Sequence, residues 1–491
     1  MRTSSSSRSA ICSLIMACLF ATAFPVLAQE TSLTPAARFF RDAAMIDVEA
    51  AWSLLEHNHP GAAPSMRDDQ FRQMLDKAHT VSRERATHVD TAEGYLAVMS
   101  GFSNMLDDKH LSFKPTLVVA KVDWVGLLIA LRERRWIVVD ESTWPGRAPL
   151  EGAELVECNG TPVDELARSR LGSFRADWSI EAQRGLAAPW LLIDERNPFL
   201  PRLTECTFKT GSGSRVVAME WQPISRDLII QRVNKAAGIG AAGFDVRRVG
   251  KGWWIAMGEL TANGPAVVAA AQAHQAELRA APFIVFDVRG NGGGASDLGD
   301  QIARILYGAD ALPDASSNVC PTPWRVSLDN KARLESYPKL LGDRLSPDAS
   351  AAIAADIAGM NTAFETGREF SRPLRPCHKP KQIVAHASPR VFILTDRVCF
   401  SSCLILVDTF RKLGAIQIGE ATNANTRYQE NRSQPLPSGL GTFAVQATVD
   451  LTRPPRVGPF LPSLAYGGDL TNTREVEAWI ISSVIPQSSS E

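Results

Sequence analysis

Across its 491 residues the sequence carries almost no net charge, with 52 Lys and Arg against 53 Asp and Glu. Without a basic excess it lacks the long-range field that draws nucleic acid, which excludes dedicated DNA or RNA binding. Beyond the first 28 residues no stretch approaches ~18 uninterrupted apolar residues, so no later segment is expected to span a bilayer. Metal signatures are missing too. His57 and His59 flank Asn58, but neither an HExxH motif nor paired CxxC spacing accompanies them. They read as ending a helix before Pro60, and no metal or cofactor is expected. There is no internal repeat, and a balance of 45% hydrophobic and 21% charged residues excludes collagen-like, coiled-coil and disordered chains. The length predicts two or three cores.

What is present begins with an export signal. Arg2 and Arg8 precede an apolar run from Ala10 to Phe24, and Val26-Leu27-Ala28 sets small residues before Gln29. This has the form of a secretory signal peptide over 1–28, cleaved after Ala28, rather than a retained anchor. The expected product is secreted or periplasmic, not stably inserted in a membrane, with 50 basic against 53 acidic residues. Six cysteines remain after cleavage. An even count in an exported chain permits disulfides. Cys158–Cys206 and Cys320–Cys377 are the expected pairs, while Cys399 and Cys403 either pair or stay reduced.

Thr34 is a candidate N-cap before Pro35. To about Gly101 apolar residues recur at three and four spacings (Ala44, Val48, Ala51, Leu55; Tyr95, Val98, Met99, Phe102), which predicts helices. From Val122 the period becomes that of strands. Trp124 to Leu131 and Trp136 to Val139 flank the charged turn Arg132-Glu133-Arg134-Arg135, a hairpin signal. Asn159-Gly160 marks another tight turn, Asp164 is a candidate cap for the helix after it, and Val216 to Trp221 is a further β run. From Lys251 strands and helices alternate: strand Trp253–Met257, helix Ala266–Ala280, strand Phe283–Asp287, helix Leu298–Leu306. After a polar insertion at about 311–380, with a helix near Ser346 to Phe364, come strand Val391–Thr395, a helix Ser401–Leu413 and a strand near Ala415–Ile418. Such alternation predicts an α/β layered core.

Two loops of this core carry chemistry. Phe283 to Asp287 runs into Val288-Arg289-Gly290-Asn291-Gly292-Gly293-Gly294, where glycines let successive N–H groups turn one way toward negative charge. The same residues meet a relaxed dinucleotide fingerprint, but no strand ending in an acid follows Tyr307, so that reading is set aside. About 110 residues later Val391 to Thr395 leads through Asp396-Arg397-Val398-Cys399-Phe400 to Ser401 at a helix start. Alone, Ser401 reads as a helix cap. Beside the glycine loop at the same sheet edge it reads as a nucleophile, since helix N-termini favour developing negative charge.

Asp287-Val-Arg-Gly-Asn-Gly-Gly-Gly, Asp396-Arg-Val-Cys-Phe-Ser-Ser-Cys and Ile418-Gly-Glu-Ala-Thr422 resemble the C-terminal-processing (tail-specific) serine peptidases and their tricorn-type relatives. Leu106-Asp107-Asp108-Lys109-His110 resembles the family's acid–x–His segment, and Pro149 to Val163 its PDZ-like stretch. The resemblance implies an N-terminal helical region (29–114), a PDZ-like β domain (115–225) and a ClpP/crotonase-like peptidase core (226–491). It also implies Ser401 as nucleophile, with the oxyanion held by the N–H of Ser402 and of a glycine among Gly292, Gly293 and Gly294.

One departure decides the base. The tail-specific branch uses a lysine a few residues after Gly-Glu-x-Thr, but here that stretch is Asn423-Ala424-Asn425-Thr426-Arg427. Lys412, the only lysine after Ser401, lies eleven residues along the same helix, ~16 Å away, and arginine does not deprotonate. Histidine remains, and His110 matches the tricorn-type base. His378 and His386 compete weakly, and His110 reads alternatively as a histidine bonded to Asp107 or Asp108. For the orienting acid, Glu420 is the first candidate, with Asp450 and Asp107 behind it. The expected activity is an exported serine endopeptidase acting on peptide or protein substrates. The rival expectations are an inactive peptide- or lipid-binding protein on the same fold and an esterase or amidase.

Overall fold

The computed structural model describes residues 33–142, 148–240, 242–312, 322–342, 345, 347–375 and 389–487. The signal segment, Cys320, Cys377, His378 and His386 lie outside the described residues. Thr34 does cap the first helix, Pro35–Asn58, accepting from Ala37 N–H at 3.1 Å. This helix packs with Asp69–Ala86 and Ala92–Asn104 around Val48, Leu55, Val98 and Phe102. Their apolar faces also cover Phe443 and Val445, from a C-terminal hairpin formed by Tyr428–Pro435 and Gly441–Val449. That hairpin joins the short strand Phe113–Pro115 in a three-stranded sheet, so residues over 300 positions apart share one core.

A six-stranded antiparallel sheet follows. Leu127–Arg132 and Arg135–Glu141 pair through a turn at Glu133-Arg134, both at positive φ, within the expected charged turn. Glu154–Cys158 pairs with Thr161–Pro162 across Asn159-Gly160. Asp164 is no cap: the helix Val163–Leu171 starts directly after Pro162, and Asp164 Oδ1 accepts from Trp136 Nε1 at 2.7 Å. The last strand covers Gly213–Ala218 rather than Val216 to Trp221, because Gly211 and Ser212 turn it back onto Glu205–Thr210. The disulfide Cys158–Cys206 joins directly opposed residues of two neighbouring strands.

The second six-stranded sheet is mostly parallel. Its order is Phe244–Val249, Gly252–Met257, Phe283–Asp287, Arg390–Thr395, Ile416–Gly419, Leu464–Ala465, with only the first strand antiparallel. Helices on its faces bury Gly252–Met257 and Phe283–Asp287 throughout, which explains their unbroken apolar runs. The helix expected over Ala266 to Ala280 is two, Gly264–Ala273 and Gln275–Ala280, parted at His274. The insertion carries a helix at Leu328–Leu341 that its polar sequence hid, besides Pro347–Thr366. The chain is thus a mixed α/β fold, and no described helix is long and apolar enough to cross a membrane.

Candidate active site

Phe283–Asp287 and Arg390–Thr395 are adjacent parallel strands, with Asp287 opposite Leu394. Their following loops therefore leave the sheet at one edge, where α/β folds gather functional groups. Ser401 precedes the helix Ser402–Lys412 but does not cap it with its side chain. Its backbone sits at φ 57°, ψ −124°, a region that costs a non-glycine residue ~1–3 kcal/mol. That conformation frees the hydroxyl, which meets His110 Nε2 at 3.0 Å.

The glycine loop packs against the same turn. A Cβ on Gly293, at φ +107°, would lie 2.8 Å from Ser401 Cβ and 2.9 Å from Ser402 N, so only glycine fits. Of the three glycines named from sequence, Gly293 has its N–H engaged by Asn291 Oδ1 at 2.9 Å. The N–H groups of Gly292, Gly294 and Ser402 find no acceptor among the described residues. The disulfide Cys399–Cys403 closes the chain around Ser401, and both its residues are fully buried.

His110 arrives on the loop between Ala92–Asn104 and Phe113–Pro115. The loop is fixed by the Ser103 hydroxyl donating to Leu111 O at 2.7 Å and by the Phe400 ring, 4.5 Å from the imidazole. Asp108 Oδ1 is 3.0 Å from His110 Nδ1 and accepts from the His110 N–H at 2.9 Å. These partners assign the Nδ1–H tautomer, leaving Nε2 to accept from the serine hydroxyl. The other Asp108 oxygen accepts from the hydroxyl and N–H of Thr426. Burial acts to raise Asp108, but the hydrogen bonds and charge of His110, with the Thr426 hydroxyl, hold it at about 2. It stays ionised at neutral pH, as a carboxylate that steadies an imidazolium must.

Other candidates sit elsewhere. Glu420 is no partner of His110: its carboxylate takes the Arg397 guanidinium, with Nε to Oε2 at 2.9 Å. Asp450 pairs with Arg453 and Thr452, and Asp107 carries no hydrogen bond to His110. Lys412 pairs with Asp408, on the same helix turn. Asp108 and Thr426 are thus the groups behind the histidine. Asp108, two residues before His110, was within reach of sequence reading; Thr426, 318 residues from Asp108, carried no signal. Among the described residues no three His, Cys, Asp or Glu converge to hold a metal ion.

No family model matches the chain, and no curated protein matches it by sequence. Solved structures do match. Mature CPAF is 13% identical, with a TM-score of 0.57 over 90% of this chain and 97% of that one. Mature CPAF complexed with lactacystin matches with the same identity and TM-score, over 90% and 98%. The photosystem II D1 C-terminal processing protease is 14% identical at a TM-score of 0.34, over 92% and 98%. The chain therefore has the fold of mature CPAF along nearly its whole length, consistent with the tail-specific and tricorn-like resemblance carried by its motifs.

Proposed function

We propose that this chain is an exported serine-type endopeptidase whose nucleophile is Ser401 and whose base is His110. The observation that carries the reading is the 3.0 Å contact between Ser401 Oγ and His110 Nε2, backed by an ionised, buried Asp108 on Nδ1. Ser401 Oγ attacks the peptide carbonyl carbon while its proton passes to Nε2. Asp108 holds the ring and stabilises the imidazolium, and Thr426 holds Asp108. The oxyanion takes N–H donors from Ser402 and from Gly292 or Gly294, all without an acceptor among the described residues. Collapse breaks the C–N bond, and the amine leaves with the proton from His110. Water, deprotonated by the same histidine, then hydrolyses the acyl-enzyme.

Around this centre we assign residues 115–225 as a PDZ-like β domain that captures extended peptide, and 226–491 as a ClpP/crotonase-like core. A seam between them supports the coupling of capture to cleavage: Gln183 donates to Asn423 Oδ1 at 3.1 Å, and Arg456 to Asp177 at 3.0 Å. Export is supported by the signal-like first 28 residues and by two disulfides in the core regions. Fluorophosphonate labelling tests the reading. Wild type should label and Ser401→Ala should not; equal labelling of both removes Ser401 from the role. Turnover of denatured casein but not of short-chain esters is expected, and the reverse makes the chain an esterase.

A further inference from the structure

Three hydrogen bonds stitch the glycine loop to the serine loop. Phe400 N–H donates to Asn291 O at 3.3 Å, the Ser402 hydroxyl donates to Gly294 O at 2.6 Å, and Gly290 N–H donates to Asp396 Oδ2 at 2.8 Å. Only the last involves a carboxylate, and its second oxygen accepts from Val398 N–H at 3.0 Å. Asp396 is 1% exposed and directly follows the strand Arg390–Thr395, where the serine loop leaves the sheet.

Resting on the peptidase reading, we propose that Asp396 is a positioning residue: its carboxylate clamps the start of the glycine loop to the start of the serine loop. It thereby sets the separation between Ser401 Oγ and the amide hydrogens that receive the oxyanion. The two N–H donors each meet a separate oxygen of one group, which an ionised carboxylate offers with no hydrogen of its own. Asparagine turns an NH2 against one of the donors. Protonation turns one of the two oxygens into a hydroxyl, a weaker acceptor for its N–H.

The surroundings explain why such a group is costly. Arg289 is engaged by Asp287, with Nε to Oδ1 at 2.9 Å, and Arg397 by Glu420, so neither guanidinium hydrogen-bonds to Asp396. Burial, with the charges of Glu420 and Asp287, pushes Asp396 up to about 7 against the pull of the two backbone N–H groups. Its folded value thus lies above its unfolded value of 3.8. The stability it contributes is full below 3.8 and is lost as pH rises through about 7. Clamping runs the opposite way, complete only when the acid is ionised above about 7. A group retained merely for stability would not show this opposition.

The test follows the rate of fluorophosphonate labelling of Ser401 and the melting temperature across about pH 5 to 9 for wild type, Asp396→Asn and Asp396→Ala. Ionisation of Asp396 adds its own limb to the labelling rate, so the wild-type profile should be steeper below about pH 7 than that of Asp396→Asn. Asp396→Asn should label about 10- to 100-fold more slowly at pH 8, with a pH profile that lacks this limb, the melting temperature showing that it is folded. On a peptide substrate kcat should fall while KM holds. A wild-type profile no steeper than that of Asp396→Asn, or an Asp396→Asn protein with the wild-type rate, overturns the proposal. If neither variant folds, the wild-type profile alone decides: a rate that does not rise between about pH 6 and 8 overturns the proposal. Wild type that never labels on Ser401 instead overturns the peptidase reading, and this inference with it.

Discussion

In the parallel sheet every residue of Gly252–Met257 and Phe283–Asp287 is buried, whereas Gly213–Ala218 in the antiparallel sheet buries none and leaves Val216 64% exposed. The first is covered by helices on both faces; the second keeps one face in water. On the proposed reading, the difference accounts for where the catalytic chemistry sits. A loop leaving a strand packed on both sides cannot shift without disturbing the apolar layer behind it, so Ser401 can be held in a costly backbone conformation. A strand with a wet face and a free edge is suited to pairing with an incoming chain. The proposed chemistry and the proposed capture thus fall on sheets of different exposure.

The largest effect that sharpens this contrast is at the reacting centre. Asp108→Asn should lower kcat by about 10⁴-fold with little change in KM, because the amide no longer fixes the Nδ1–H tautomer. Steady-state kinetics on a peptide substrate check it, and a loss below tenfold removes Asp108 from behind the histidine. Next come the sheets themselves. Phe286→Ala, in the middle of the parallel sheet, should cost about 3–5 kcal/mol in urea unfolding, and Val216→Ala within about 0.5 kcal/mol. Equal losses would erase the distinction between the two sheets.

A smaller effect comes with acid. Asp108 is depressed to about 2 in the fold against 3.8 unfolded, so its contribution is present above 3.8 and lost as pH falls through about 2. The loss should be about 2 kcal/mol, read as the extra acid sensitivity of wild type over Asp108→Asn in urea melts between about pH 5 and 2. Parallel pH curves for the two proteins would contradict it.

The core strands were legible because both faces are covered, which leaves unbroken runs such as Phe283-Ile-Val-Phe286 and Val391-Phe-Ile-Leu394. The edge shared by the glycine and serine loops followed from their positions after those runs, and their contact with His110 from a motif before the β region. The acid did not follow. Glu420 is the first candidate from the sequence, but Arg397, which no local pattern links to it, takes its carboxylate. Thr426 was hidden for a related reason. It precedes Tyr428–Pro435, a strand rich in polar residues with no alternation, whose pairing depends on a hairpin folding back over the N-terminal helices. Asp396 and Asn291 act through backbone N–H and C=O groups across more than 100 residues, and such partners leave no trace in side-chain patterning.

Two loops far apart in the chain bring the Ser401 hydroxyl beside the Ser402 amide hydrogen and the glycine loop. A crystal structure of the fluorophosphonate adduct tests this arrangement most directly. Phosphorus should be bonded to Ser401 Oγ, with a phosphonyl oxygen ~3 Å from the Ser402 nitrogen. An adduct on another residue, or a phosphonyl oxygen turned to solvent away from Ser402 and the glycine loop, would contradict it.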